Sequence, residues 1–152
     1  MIAMSTRSGD TRAYYRNSLR GVKIPKKNPQ ITFIYDQVNF DAKGERAAGE
    51  LLRILRKESA GQITIIGHTD ERGSDDYNIK LSKGRAMAIQ DYLRRNDIPD
   101  AVQVWWCGDR VPAKINNAAL YDQEEIWRIS RRVEVFYDPS GIASERYASC
   151  IR

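Results

Sequence analysis

Several common routes to function are closed by what this chain does not contain. A single histidine, His68, stands in 152 residues, and the two cysteines, Cys107 and Cys150, lie far apart with no C-x-x-C spacing. Neither supplies the ligand spacing of a metal site or a dithiol redox pair, so no metal and no cofactor is expected. No apolar run approaches the roughly 18 residues of a membrane span. Met1 to Lys27 also lacks the roughly 7 to 15 continuous apolar residues of a secretory signal. Two arrangements stay open on this ground, a chain that begins after a removed signal or anchor and a cytoplasmic protein. In an oxidising compartment Cys107 and Cys150 could close one loop over the C-terminal segment, and the sequence leaves that pairing open too.

What is present begins with charge. The net charge is +5, from 25 basic and 20 acidic residues. Residues 1–30 hold Arg7, Arg12, Arg16, Arg20, Lys23, Lys26 and Lys27 against Asp10, a balance of +6, which leaves −1 for the remainder. The basic character therefore belongs to a polar tail or linker over 1–29, with at most a short helix around Thr11 to Leu19. Such a tail suits a solvated linker or an arm that orders on a partner better than a nucleic-acid module, because the rest of the chain is near neutral.

Downstream of the tail the pattern alternates. Ile31 to Tyr35 reads as a strand closed by Asp36. Ala47, Ala48, Leu51, Leu52 and Leu55 recur at helical spacing in a helix that ends near Gly61. Ile63 to Ile66 is a compact apolar run that suits a central strand buried on both faces. Gly67 to Leu81 reads as a polar loop, with Ser82 as the N-cap of a second helix carrying Ala86, Ile89 and Leu93 inward and stopping before Pro99. Val102 to Trp106 is a third strand, a short helix is expected near Gln123 to Trp127, and Arg132 to Tyr137 alternates as a last strand. The order strand-helix-strand-helix-strand-strand predicts an α/β (α+β) domain with a single mixed sheet and helices packed on it.

The loop after the central strand carries the chemistry. Asp70 can accept from an ammonium, and Arg85 offers a planar fork for a carboxylate. With Ser82 as cap, Arg85 falls in the first helical turn, where the helix dipole disfavours a cation by roughly 0.3 to 1 kcal/mol and a docked anion would compensate it. The competing expectation is a structural ion pair of Arg85 with Asp70 or Asp76.

The string G-H-T-D-E-R-G-S-x-x-Y-N-x-x-L-S-x-x-R-A, from Gly67 to Ala86, resembles the signature of OmpA C-terminal-like domains. That family includes peptidoglycan-associated lipoproteins and the periplasmic domains of flagellar stator proteins. The resemblance extends to Thr32–Asp36, Gly108, Pro112 and Arg131–Val135, covers about residues 30–138, and leaves 139–152 as a C-terminal extension. It implies a non-enzymatic domain that binds the diaminopimelate of the peptidoglycan stem peptide in the periplasm, at the outer membrane or cell wall. Asp70 and Arg85 match the family's principal ligands. By the same carry-over Tyr35, Asp36, Thr69, the amides around Glu71, Arg72 and Gly73, together with Asn78, Leu81 and Arg132, line or support the groove. Members usually carry Asn-Arg-Arg where this chain has Ser130-Arg131-Arg132, which implies a supporting hydrogen bond that is shorter or absent. The connection from Pro112 to Ser130 is also longer, and Tyr121 and Trp127 on it suit a protein contact.

Three other functions compete. An enzyme would rest on His68 near Asp70, but no second histidine or nucleophile motif accompanies it. A nucleic-acid module would rest on Trp105 and Trp106, yet neighbours on a strand face opposite ways, so at most one could stack a base. A docking subunit of an envelope secretion or motor complex, with the tail holding other subunits, is the strongest alternative.

Overall fold

The computed structural model describes residues 30–57, 62–98, 102–136, 142 and 145–152. The basic tail with its expected short helix, the segment around Gly61, Pro99 and Tyr137 lie outside the described residues. The sheet is built around the Ile63-Thr64-Ile65-Ile66-Gly67 run, strand β2, in which all five residues are buried. A strand so uniformly apolar must be covered on both faces and paired on both edges. It pairs in parallel with β3, Val102–Trp106, and antiparallel with β4, Arg132–Phe136, while β4 pairs on its other side with the short β1, Ile31–Thr32. The order is β1-β4-β2-β3.

In β4 the sequence alternates Val133 and Val135 with Arg132, Glu134 and Phe136. All five of its residues are buried, Arg132 and Glu134 included. The helices cover its Val133 and Val135 side and the segment carrying Tyr147 covers its Glu134 and Phe136 side, so its polar side chains are paired within the protein rather than hydrated.

Helices α1, Ala42–Lys57, and α2, Asp75–Arg95, cover one face. Their Ala48, Leu51, Leu55, Ala86, Ile89 and Leu93 close on Ile63, Ile65, Val133 and Val135 in one cluster. Asp41 starts α1, its carboxylate accepting from the Gly44 amide at 2.7 Å and from the Thr32 hydroxyl at 2.6 Å. At Gly67, α2 crosses so near that a Cβ would lie 2.1 Å from the Ser82 carbonyl oxygen.

The start of α2 differs from the sequence expectation. Gly73, at φ +99°, turns the chain, and Ser74 is the N-cap, its hydroxyl accepting from the Tyr77 amide at 3.2 Å. Asp75 and Asp76 then sit in the first turn, where the helix dipole favours them. Ser82 is therefore helix interior. It is buried, and its hydroxyl donates to the Ile79 carbonyl and accepts from the Gly108 amide at 2.8 Å. Arg85 stands in the middle of α2, so the argument from an unfavourable dipole at its first turn does not apply.

β1 is also shorter than expected. After Thr32 the ladder gives way to an isolated bridge of Phe33 to Phe40 and one Phe33 amide bond to the Arg131 carbonyl, and Asp36 adopts φ 58°, which folds the Ile34–Asn39 loop back on itself. α3 runs over Gln123–Ser130, capped by Asp122.

The opposite sheet face is covered by the C-terminal residues 145–152. Tyr147 is buried with Ile66, Trp105, Val111 and Phe136, and Ile151 exchanges backbone hydrogen bonds with Trp106 at 2.8 and 2.9 Å. Cys107 and Cys150 form a disulfide. Trp105 is buried against this segment while Trp106 is half-buried, with the Lys83 ammonium 4.9 Å from its ring.

The disulfide closes a loop with a sequence separation of 43, which in the chain-entropy account contributes about 4 kcal/mol. Urea denaturation of the oxidised protein should therefore show a midpoint well above that of Cys150→Ser. Coincident midpoints would mean that packing alone holds the C-terminal segment.

A candidate binding cleft at the end of the central strand

The chain leaving β2 is pinned before it reaches solvent. The His68 amide donates to the Arg132 carbonyl and the Thr69 amide to the Gly108 carbonyl, both at 2.9 Å. His68, Thr69 and Asp70 are consequently buried although they lie beyond the strand. Beside them opens a cleft of about 60 Å³, bounded by this loop, the Ile34–Asn39 loop and the first three turns of α2.

Nine of the eleven residues expected here bound the cleft: Tyr35, Asp36, Thr69, Asp70, Arg72, Gly73, Asn78, Leu81 and Arg85. Glu71 does not. Its carboxylate turns away and accepts from the Trp127 indole nitrogen at 3.2 Å. Arg132 does not either, because it is fully buried among Val111, Ser130 and Glu134. Consecutive side chains entering a strand point to opposite sides, and the neighbour Arg131 takes the cleft side. Its Nε donates to the Phe33 carbonyl at 3.0 Å and its Nη1 lies 3.5 Å from Asp70. Ser130, the departure from Asn, donates its hydroxyl to the Ile126 carbonyl of its own helix at 2.8 Å.

Tyr77 is the cleft residue that the sequence expectation missed. Its hydroxyl donates to the Asp36 carboxylate, which raises its pKa above the usual tyrosine value. The signal was present once α2 begins at Asp75: Tyr77, Asn78, Leu81 and Arg85 then form one helical stripe.

The two principal side chains have different surroundings. Arg85 is fully buried, and its Nε, Nη1 and Nη2 donate to the carbonyls of Gln37, His68 and Ile34 at 2.9, 3.2 and 3.3 Å. Burial, then the nearby Arg131 charge, lowers its pKa to about 10, so it stays a cation at neutral pH. No ion pair joins it to Asp70 or Asp76 among the described residues. Asp70 is approached instead by Arg72, whose backbone amide and Nε reach Oδ1 at 3.0 and 3.2 Å and whose Nη2 reaches Oδ2 at 2.8 Å. Burial pushes the Asp70 pKa up, but the Arg72 hydrogen bonds and the Arg131 contact outweigh it and hold the carboxyl below its usual range. The Thr69 hydroxyl and the Asn78 amide nitrogen are buried without hydrogen-bond partners among the described residues. Such groups are the kind that a ligand satisfies.

His68, on which an enzyme function would rest, faces the other way. Its Nε2 meets Glu134 at 2.8 Å, and the Tyr147 hydroxyl donates to the same carboxylate at 2.8 Å. Burial and the Arg132 charge lower the His68 pKa to about 4, so the ring is neutral in the folded protein. Between pH 6.5 and about 4 the unfolded chain binds a proton at His68 that the folded chain refuses, so stability should fall across that window by on the order of 3 kcal/mol. Glu134, held from 4.5 down to about 2, contributes stability that is lost as pH falls from about 4.5 toward 2, mostly below the His68 window. Urea midpoints at pH 7, 5.5 and 4 should drop in the wild type and flatten in His68→Asn; parallel slopes would contradict a neutral buried imidazole.

Comparison with known proteins places this geometry. The sequence profile described as the OmpA family matches residues 32–125. A peptidoglycan-associated lipoprotein of Pseudomonas aeruginosa is 33% identical over 104 residues, covering 68% of this chain and 58% of its own length. Outer membrane protein A of Serratia marcescens is 35% identical over 71 residues, which cover 45% of this chain and 20% of that protein. The chain thus spans between about a fifth and about three-fifths of these curated relatives. Among solved structures, the peptidoglycan-associated lipoprotein from Burkholderia pseudomallei superposes with a TM-score of 0.59 at 24% identity, covering 74% of this chain and 91% of that one. The cell wall anchor of the T6SS from Pseudomonas aeruginosa superposes at 0.54 and 20% identity, covering 83% and 96%. At these identities the two structures speak for a shared fold, while the profile match runs over more than half of the sequence: the chain belongs to the OmpA family.

Proposed function

We propose that the cleft binds peptidoglycan non-covalently, through the free end of the diaminopimelate in its stem peptide, and so anchors an envelope protein or complex to the cell wall from the periplasm. The observation that carries this reading is Arg85. A buried guanidinium whose hydrogen bonds all go to backbone carbonyls, with Asp70 and Asp36 acting on it only from a distance, bounds a small cleft as a cation without a paired carboxylate. A ligand carboxylate supplies the missing charge in the planar geometry a guanidinium favours. Asp70, held ionised, stands in the same cleft as the acceptor for the ammonium that accompanies that carboxylate. Family membership adds support, since relatives at about a third identity are named for peptidoglycan.

A docking role for a separate surface is favoured by one observation. Leu120, 81% exposed, and Tyr121 project from the connection that leads into α3, away from the described core. The two roles are compatible, with the cleft holding the wall and this connection holding an envelope partner.

Calorimetric titration with a diaminopimelate-containing stem peptide, on wild type, Asp70→Ala and Arg85→Lys, tests the reading. Arg85→Lys keeps the charge and removes the fork, so it should weaken binding at least about tenfold, the equivalent of 1.4 kcal/mol. Asp70→Ala should weaken it less, by about threefold, because Arg72 already occupies the carboxylate that an ammonium would reach. Equal affinities across the three proteins would refute the cleft as the site, and no binding by any of them would favour the docking role.

A further inference from the structure

Asp70 is engaged before any ligand arrives. A carboxylate offers about four lone-pair positions, and Arg72 fills three of those on Asp70, at 3.0, 3.2 and 2.8 Å. Arg131 stands 3.5 Å from the same carboxylate. Nor is the Arg72 side chain free to drift. Its guanidinium carbon lies 4.0 Å from the ring centre of Tyr35 and 3.8 Å from that of Trp127, so the cation is held between two aromatic faces. The Trp127 ring is itself tethered, its indole nitrogen donating to Glu71 at 3.2 Å.

Arg85 has no comparable internal partner, since all its hydrogen bonds go to carbonyl oxygens. The two ends of the cleft are therefore unequal. The group suited to a carboxylate carries no carboxylate, whereas the group suited to an ammonium is covered by a cation of the protein's own.

We propose that Arg72, clamped between Tyr35 and Trp127, is an internal competitor for Asp70, and that Trp127 is a specificity-determining residue setting how strongly the cleft reads a ligand's ammonium relative to its carboxylate. The inference rests on the peptidoglycan reading above and adds to it a residue from α3. A ligand carboxylate docks on Arg85 without breaking a side-chain bond. The ammonium reaches Asp70 only when the Arg72 side chain, 29% exposed and so able to swing outward, gives up its bonds and both ring faces. Weakening the clamp lowers the cost of that displacement.

Titration with two synthetic stem peptides tests this, one carrying diaminopimelate and one carrying 2-aminopimelate in its place, which lacks the distal amine. Wild type should bind the two within about threefold, because the clamp cancels most of the ammonium's contribution. In Arg72→Ala and Trp127→Ala the preference for the amine-bearing peptide should rise about tenfold. Trp127→Phe, which keeps a ring face over Arg72, should stay at the wild-type ratio. No residue of α3 is fully buried, so Trp127→Ala is expected to fold, and its urea midpoint verifies that. A wild-type preference already above about tenfold, or an unchanged ratio in Trp127→Ala, overturns the proposal while leaving the cleft's ligand intact. Absence of binding to either peptide by every protein overturns the peptidoglycan reading and this proposal together.

Discussion

The Arg85 guanidinium donates to carbonyls from two loops, Ile34 and Gln37 on one and His68 on the other, and its own backbone belongs to the middle of α2. Three stretches of chain that share no hydrogen-bonded ladder at this point are thereby held in one geometry. Burying a cation is costly unless dipoles or an opposite charge answer it. The three carbonyls orient their negative ends toward the group but add no net charge, so the protein keeps a cation at pH 7 whose electrostatic demand is met only in part. The geometry of the cleft and the charge it presents thus depend on one side chain.

A second polar group sits behind the first. Arg132, Glu134, His68 and Tyr147 form a buried network on the sheet face opposite the helices, and His68 joins it to the loop whose carbonyl holds Arg85. Adjacent residues divide the work. Arg131 serves the cleft, Arg132 the network, and the alternation of side chains along β4 separates them. Because the disulfide ties the segment carrying Tyr147 to Cys107, one residue from the Gly108 carbonyl that pins Thr69, the C-terminal segment braces the cleft from the far side of the sheet.

Much of this was legible in the sequence where a single periodicity dominates. Ile63–Ile66 announced a central strand, Ala48, Leu51, Leu52 and Leu55 a helix face, and Asp70 and Arg85 a common site. The errors fall where short-range chemistry offered two choices. Gly67 to Leu81 read as loop because it is polar, which left Ser82 as the expected helix cap and Ser74 inside the loop. The decision lay with Gly73, whose positive φ starts the turn, and with Asp75 and Asp76, which are ordinary first-turn residues once Ser74 is the cap. Misplacing that boundary hid Tyr77 and gave Arg85 a dipole argument it does not have. Arg132 was misassigned for a different reason. Which of two neighbouring arginines faces the cleft depends on the register of β4 against β1, where Thr32 opposes Arg132, and no local pattern reports that pairing.

The strand order carries a consequence for how the molecule is made. β4 is the last of the described strands in sequence, yet it lies between β1 and β2. Until Arg132–Phe136 has been synthesised, β1 has no neighbour in the sheet and β2 can pair on one side only. Contacts spanning such separations are slow to form, since the intervening loop must close before they contribute. The domain can therefore complete its cleft only once β4 has been made, with Arg131 arriving at Asp70 in the same event. A nascent chain halted before β4 would present apolar strand edges where the cleft is to form.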